Sequence, residues 1–111
     1  MNKEKIITPI YDNIIYISHP YGGIKLNEDR VAEIILKLQK QYPDYLFVSP
    51  IHAFSFEYTY DDYETGINKC LWLLDRCSEM WVYGDWENSK GCKIEIQFCD
   101  YNCIPYTIMN I

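Results

Sequence analysis

The chain has little histidine. Its two residues, His19 and His52, have no carboxylate or thiolate at matched spacing, so no metal centre is expected. The five cysteines, Cys70, Cys77, Cys92, Cys99 and Cys103, are an odd number and include no Cys-x-x-Cys pair, which argues against a zinc site and a disulfide framework alike. Reduced thiols acting as small hydrophobes are expected instead. No apolar run approaches the roughly 20 residues that a bilayer-spanning helix needs. The opening Met1-Asn2-Lys3-Glu4-Lys5 is followed by no leader-like apolar stretch, so a soluble cytoplasmic protein with no membrane partner is expected. Positive charge is also scarce. Ten Lys and Arg against 16 Asp and Glu leave a net charge of −6, a field that repels a polyanion and gives no counterion-release term. Long nucleic acid is therefore not an expected partner, whereas a small anion held at one helix N-terminus remains compatible. The five glycines form no GxGxxG and no GK[ST], and no Ser-His-Asp or Cys-His signature is present. No cofactor is expected on these grounds.

Aromatic residues are abundant. Eleven Tyr, four Phe and three Trp make 16% of a 111-residue chain that is otherwise ordinary, with 49% hydrophobic and 23% charged residues. That size suits one domain with one core. Tyrosine serves best where one end is buried and the other meets water, a ligand or a partner, so the excess points to a lined pocket or an interface.

The order of elements indicates the fold class. Asn13 to Ser18 is a short, nearly continuous apolar run, typical of a strand buried on both faces. From Asn27, taken as the cap, Val31, Ile34, Ile35 and Leu38 follow helical spacing until Pro43. Tyr45 to Ser49 is a second strand, closed by Pro50. Ile51 to Tyr63 is an aromatic segment with no clear period, read as an ordered loop or lid. A helix over about Tyr63 to Cys77, a strand at Met80 to Tyr83, a helix capped by Ser89 with the stripe Cys92, Ile96 and Cys99, and a last strand Tyr106 to Met109 complete the chain. The alternation predicts an α/β fold of the Rossmann-like three-layer kind: a mainly parallel sheet of about four strands with helices on both faces. In such sheets ligands bind beyond the carboxyl ends of the strands. The segments there are Ser18-His19-Pro20-Tyr21-Gly22-Gly23, Pro50-Ile51-His52, and Gly84 to Gly91 with Trp86.

Ser89-Lys90-Gly91-Cys92-Lys93-Ile94-Glu95 carries the strongest chemical signal. A capping serine, a glycine that permits close approach, unpaired first-turn N–H groups and two lysines make an anion site. Glu95 lies three residues after Cys92 and four before Cys99, which puts a carboxylate on the apolar stripe. The plain alternative is a helix cap and a solvated glutamate. The loop Ser18 to Gly23 reads equally well as a Pro/Gly turn. His19 and His52 can bond a ligand or simply pack. The aromatics Phe54, Phe56, Tyr58, Tyr60 and Tyr63 suit base stacking, a lid core or a subunit contact.

Taken in order, these pieces resemble the nucleoside 2-deoxyribosyltransferase-like superfamily, including the 2′-deoxynucleoside 5′-phosphate N-hydrolases and small phage and bacterial relatives. The resemblance runs from about Ile14 to Pro105. The first strand and its loop with Gly22 and Gly23 resemble the family's small-residue loop. Ser89, Gly91 and Glu95 reproduce the spacing of a phosphate-contacting serine six residues before a catalytic glutamate. The resemblance implies that Glu95 faces the anomeric carbon, that Tyr16 orients it, and that Ser89, Gly91, Gly22 and Gly23 hold phosphate. It also implies a homodimer or higher homo-oligomer. One departure stands out. Taking Glu79 as the acid that opens the third strand, the family's aspartate, eight residues earlier, is replaced here by Leu71. Asp61, Asp62 and Glu64 are the nearby acids able to substitute.

The expectation is a single domain over residues 1–111 that binds a nucleotide- or nucleoside-derived small molecule and captures it without turnover, as a phage-type sponge for a nucleotide signal would. The alternative is an N-glycosidic hydrolase or deoxyribosyltransferase with Glu95 as its carboxylate. A structural or regulatory homo-oligomer with a vestigial pocket is the third reading. The ligand-binding set expected beside Glu95 and Tyr16 is Ser18, His19, Pro20, Tyr21, Gly22 and Gly23 from the first loop, His52 and Phe54 from the second, and Trp86, Ser89, Lys90 and Gly91 from the third.

Overall fold

The computed structural model describes residues 7–109, so the reading of Met1 to Lys5 concerns residues outside those described. Strand β1 (Asn13–Ser18) pairs in parallel with β2 (Tyr45–Val48) on one side and with β3 (Glu79–Val82) on the other. Strand β4 (Tyr106–Ile108) pairs in parallel with β3, giving the order β2-β1-β3-β4. The protein is therefore an α/β fold on an all-parallel four-stranded sheet, as the alternation of elements predicts.

Strand alternation divides the core between the two faces of the sheet. Ile15 and Ile17 of β1 join Phe47, Trp81 and Tyr83 beneath helix α1 (Lys25–Gln41), which contributes Val31 and Leu38. Tyr16 points the other way, into a cluster with Met80, Val82, Leu74 of helix α3 (Tyr63–Leu74) and Cys99 of helix α4 (Lys90–Asn102). Covering both faces explains why β1 reads as an unbroken apolar run. It also sets Tyr16 and Ser18, two residues apart, on the face that α4 covers.

The structure corrects several boundaries. Helix α1 starts at Lys25 with Ile24 in the cap position, rather than at an Asn27 cap. Gly22 and Gly23 take φ +60 and +73, which turns the chain early, and the Asn27 amide donates to the Tyr21 carbonyl instead of capping. The segment after β2 is helical where a loop was expected: helix α2 (Pro50–Phe54), then a 3₁₀ turn (Ser55–Glu57). Ser49 accepts from the His52 N–H and Pro50 fixes φ at the first helical position, so the proline that ends the strand also opens a helix. Helix α3 stops at Leu74 instead of Cys77, and its last residues tighten into turns through Arg76 N–H to Leu73 and Cys77 N–H to Leu74. A second 3₁₀ turn (Trp86–Asn88) leads into α4, which is capped by Ser89 as expected. Among the described residues no helix is long and apolar enough to cross a membrane.

Candidate functional site

From β1 the chain runs outward in both directions across the sheet, to β2 and to β3, so a crevice opens at the carboxyl ends of the strands. A cleft of about 540 Å³ occupies that place. The loop after β1, helix α2, the first turns of α3 and the start of α4 form its walls.

Glu95 is at its base. The side chain is 5% exposed, which excludes the solvated-glutamate alternative. Both oxygens are engaged from β1: Tyr16 Oη donates to Oε2, and Ser18 Oγ donates to Oε1 at 2.8 Å. Burial raises the Glu95 carboxyl to about 7, against the pull of those two hydroxyls, which stabilise the charged form. Tyr16 is itself raised well above its ordinary value, first by burial and then by the neighbouring carboxylate, so it remains a donor. The arrangement is a buried acid near half-protonation at neutral pH, held in one orientation and open to the cleft.

Helix α4 presents its N-terminus to the same cleft. Ser89 Oγ accepts from the Cys92 N–H at 3.2 Å, and Ser89, Lys90 and Gly91 all line the wall. Lys90 Nζ rests 4.6 Å over the Tyr63 ring. Tyr21 and Tyr58, which also line the cleft, pack edge to face at 4.9 Å, and Phe54 adds a third ring. Two thiols also reach the cleft, Cys70 and Cys92. Burial and the Glu95 charge push Cys70 up to about 12, and burial raises Cys92, so neither is a thiolate nucleophile. Among the described residues no group of three His, Cys, Asp or Glu is placed to hold a metal ion.

The expected residues separate into three groups. His19, Pro20, Tyr21, Gly22, Phe54, Ser89, Lys90, Gly91 and Glu95 line the cleft together, although they come from three distant stretches of chain. Tyr16 and Ser18 lie fully buried behind Glu95, and both hydrogen-bond to it. Gly23, His52 and Trp86 are outside the cleft wall. Gly23 turns the loop against the Tyr58 ring. His52 is exposed, and its Nδ1 lies 2.8 Å from Ser49 Oγ, because forming α2 buries Ile51 and sends the next side chain outward. Trp86 packs against the cluster that holds Tyr16. His19 is buried, with Nδ1 2.7 Å from the Pro20 carbonyl, and burial lowers its pKa.

The three candidate substitutes for the missing aspartate are placed as follows. Asp61 Oδ2 is 2.9 Å from Lys69 Nζ, which also binds Glu57 at 2.9 Å. Asp62 caps α3 by accepting from the Thr65 N–H, and that bond lowers its pKa. Both line the cleft, while Glu64 does not. Leu71 packs into the Tyr16 cluster. Sequence reasoning missed Cys70 as a cleft residue, and it placed Tyr63 and Asn88 only within segments near the crevice, not in the ligand-binding set. Tyr63 stood among the segment's aromatics, but only the helical start at Asp62 aims it at α4.

The chain belongs to the family described as a domain of unknown function, DUF7768, whose model matches residues 13–109. No curated protein and no solved structure matches it.

Proposed function

We propose that this family member binds a nucleotide- or nucleoside-derived small molecule in the cleft and captures it without turnover. The observation that carries the reading is the cleft itself. It has one oriented, buried carboxylate at its base, and its lining combines a helix N-terminus bearing Lys90 with the aromatic rings of Tyr21, Tyr58 and Phe54. A phosphate suits the helix end and a planar base suits the rings. The volume, about 540 Å³, is within the range of small-molecule sites. Absence of turnover is supported by the acids. Besides Glu95, the carboxylates that line the cleft are Asp61, held by Lys69, and Asp62, held by the Thr65 N–H, and Leu71 carries no proton. The test is mass spectrometry of small molecules released by heat from the purified protein, followed by calorimetry with what is found. An intact nucleotide that Glu95→Gln still binds supports capture.

Glycosidic cleavage is the second reading, favoured by the Tyr16 to Glu95 contact. An ionised Glu95 would stabilise positive charge at an anomeric carbon, or form a glycosyl ester there as the C–N bond breaks and the base leaves with the bonding pair. If deoxynucleoside monophosphates release free base, and Glu95→Ala abolishes the release, this reading replaces capture.

The proposal extends to a cytoplasmic homodimer or higher oligomer. Exposed rings on and beside the cleft segment support it, Phe56 at 76%, Tyr60 at 86% and Trp72 at 62%. A monomeric mass by light scattering at micromolar concentration would overturn it.

A further inference from the structure

Tyr63 is the first residue of α3, directly after the Asp62 cap, and its ring enters the cleft beside α4. Its hydroxyl lies over Gly91: a Cβ built on that glycine would be 3.6 Å from Tyr63 Oη. A Cβ at residue 91 would make only an ordinary contact with this phenol, which stands over the first turn of α4. Of the N–H groups of that turn, Cys92 donates to Ser89 Oγ and Lys93 to the Ser89 carbonyl, which leaves those of Lys90 and Gly91 with no protein partner among the described residues. Lys90 Nζ, over the same ring, brings the one full positive charge that the described residues give the cleft lining. The acids nearby are occupied: Glu95 by Tyr16 and Ser18, Asp61 by Lys69, Asp62 by Thr65. Burial and the Glu95 charge both raise the Tyr63 pKa, so its hydroxyl is a proton donor at neutral pH.

We propose that Tyr63 selects for a phosphorylated ligand, its hydroxyl donating to a phosphate oxygen that the Gly91 N–H and Lys90 also meet. This rests on the reading of the cleft as a nucleotide-like site. It adds a contact from a second helix to the α4 end of that site. A nucleoside lacking phosphate makes no use of the Tyr63 hydroxyl, so the residue discriminates between the two ligand classes instead of adding to both.

The experiment measures dissociation constants by calorimetry for the four common deoxynucleoside 5′-monophosphates, the matching nucleosides and inorganic phosphate, with wild type, Tyr63→Phe and Lys90→Gln. Tyr63→Phe keeps the ring under Lys90 and removes only the oxygen, and circular dichroism checks that it folds. The expected result is about tenfold weaker monophosphate binding with nucleoside binding unchanged, the size of one hydrogen bond to a charged group. Lys90→Gln should act in the same direction and lessen the salt dependence of monophosphate binding. If wild type prefers monophosphates and Tyr63→Phe retains the full preference, the assignment of Tyr63 is wrong while the site reading stands. If wild type binds nucleosides and monophosphates equally, phosphate selection is wrong. If it binds none of the probes, the nucleotide reading fails and this inference with it.

Discussion

The hydroxyl of Tyr16 donates to Oε2 of Glu95, linking the first strand to the last helix across 79 residues of chain. Ser18, two residues on, holds the other oxygen. A carboxylate buried at the base of the cleft is thus gripped on both oxygens from β1.

Glu95 should imprint its titration on folding. In the unfolded chain it ionises near the ordinary 4.5, and in the fold near 7, so between those values the native state holds a proton that the unfolded state has released. Its stabilisation is complete below pH 4.5 and declines as pH rises through 7, by a total of about 3 kcal/mol. His19 works in the opposite sense, because its lowered pKa makes acid favour the unfolded chain below about 6.5. Comparing wild type with Glu95→Gln cancels the histidine. In urea unfolding the variant should lose the decline between about pH 5 and 8 and be the more stable protein at the upper end. Parallel curves for the two proteins would refute a shifted Glu95.

Tyr16→Phe removes the donor from Oε2 and leaves a buried carboxylate half satisfied. The expected loss is about 1–3 kcal/mol, larger at pH 8 than at pH 5, because the charged form relies more on the donor. Carbon-13 NMR of the Glu95 carboxyl should show its midpoint moving further above 7. A lower midpoint would contradict the geometry.

Gly84 has φ +77, and a Cβ added there would stand 3.0 Å from His19 Nε2 and 3.1 Å from Pro20 Cδ. Gly84→Ala should therefore destabilise by about 1–3 kcal/mol, a fall in Tm of several degrees for a domain this size. It should also weaken any cleft ligand, because it displaces the loop that carries His19 and Tyr21. An unchanged Tm by calorimetry would show that the loop yields freely.

Lys69 binds both Glu57 and Asp61 and so fastens the segment after α2 to α3. Lys69→Met should alter Tm little, since the group is at the surface. Amide exchange over residues 55–62 should quicken, and ligand dissociation with it. Exchange unchanged across that segment would mean that the Tyr21 to Tyr58 packing alone holds it.

The sequence determined much by local means. The nearly continuous apolar run within Asn13 to Ser18 marked β1, because a strand buried on both faces shows little polar side. Ser89 and the stripe Cys92, Ile96, Cys99 placed α4 and its cap, since helical spacing needs only neighbours in the chain. The α/β alternation was likewise legible, as was the placing of the His19 to Gly22 loop and of Ser89 to Gly91 beyond the strand ends, where both line the cleft. Tertiary structure decided the rest. Helix α2 arose where alternating aromatics pointed to a lid, because Ser49 and Pro50 start a helix and Ile51 packs on the core. That one change turned His52 out of the site. Whether Glu95 was a solvated edge residue or a buried acid turned on β1 and α4 sharing one face of the sheet, which brings Tyr16 and Ser18 to its two oxygens. Spacing along the chain sets the side of an element on which a residue stands. What that side meets is set by packing between elements far apart in sequence.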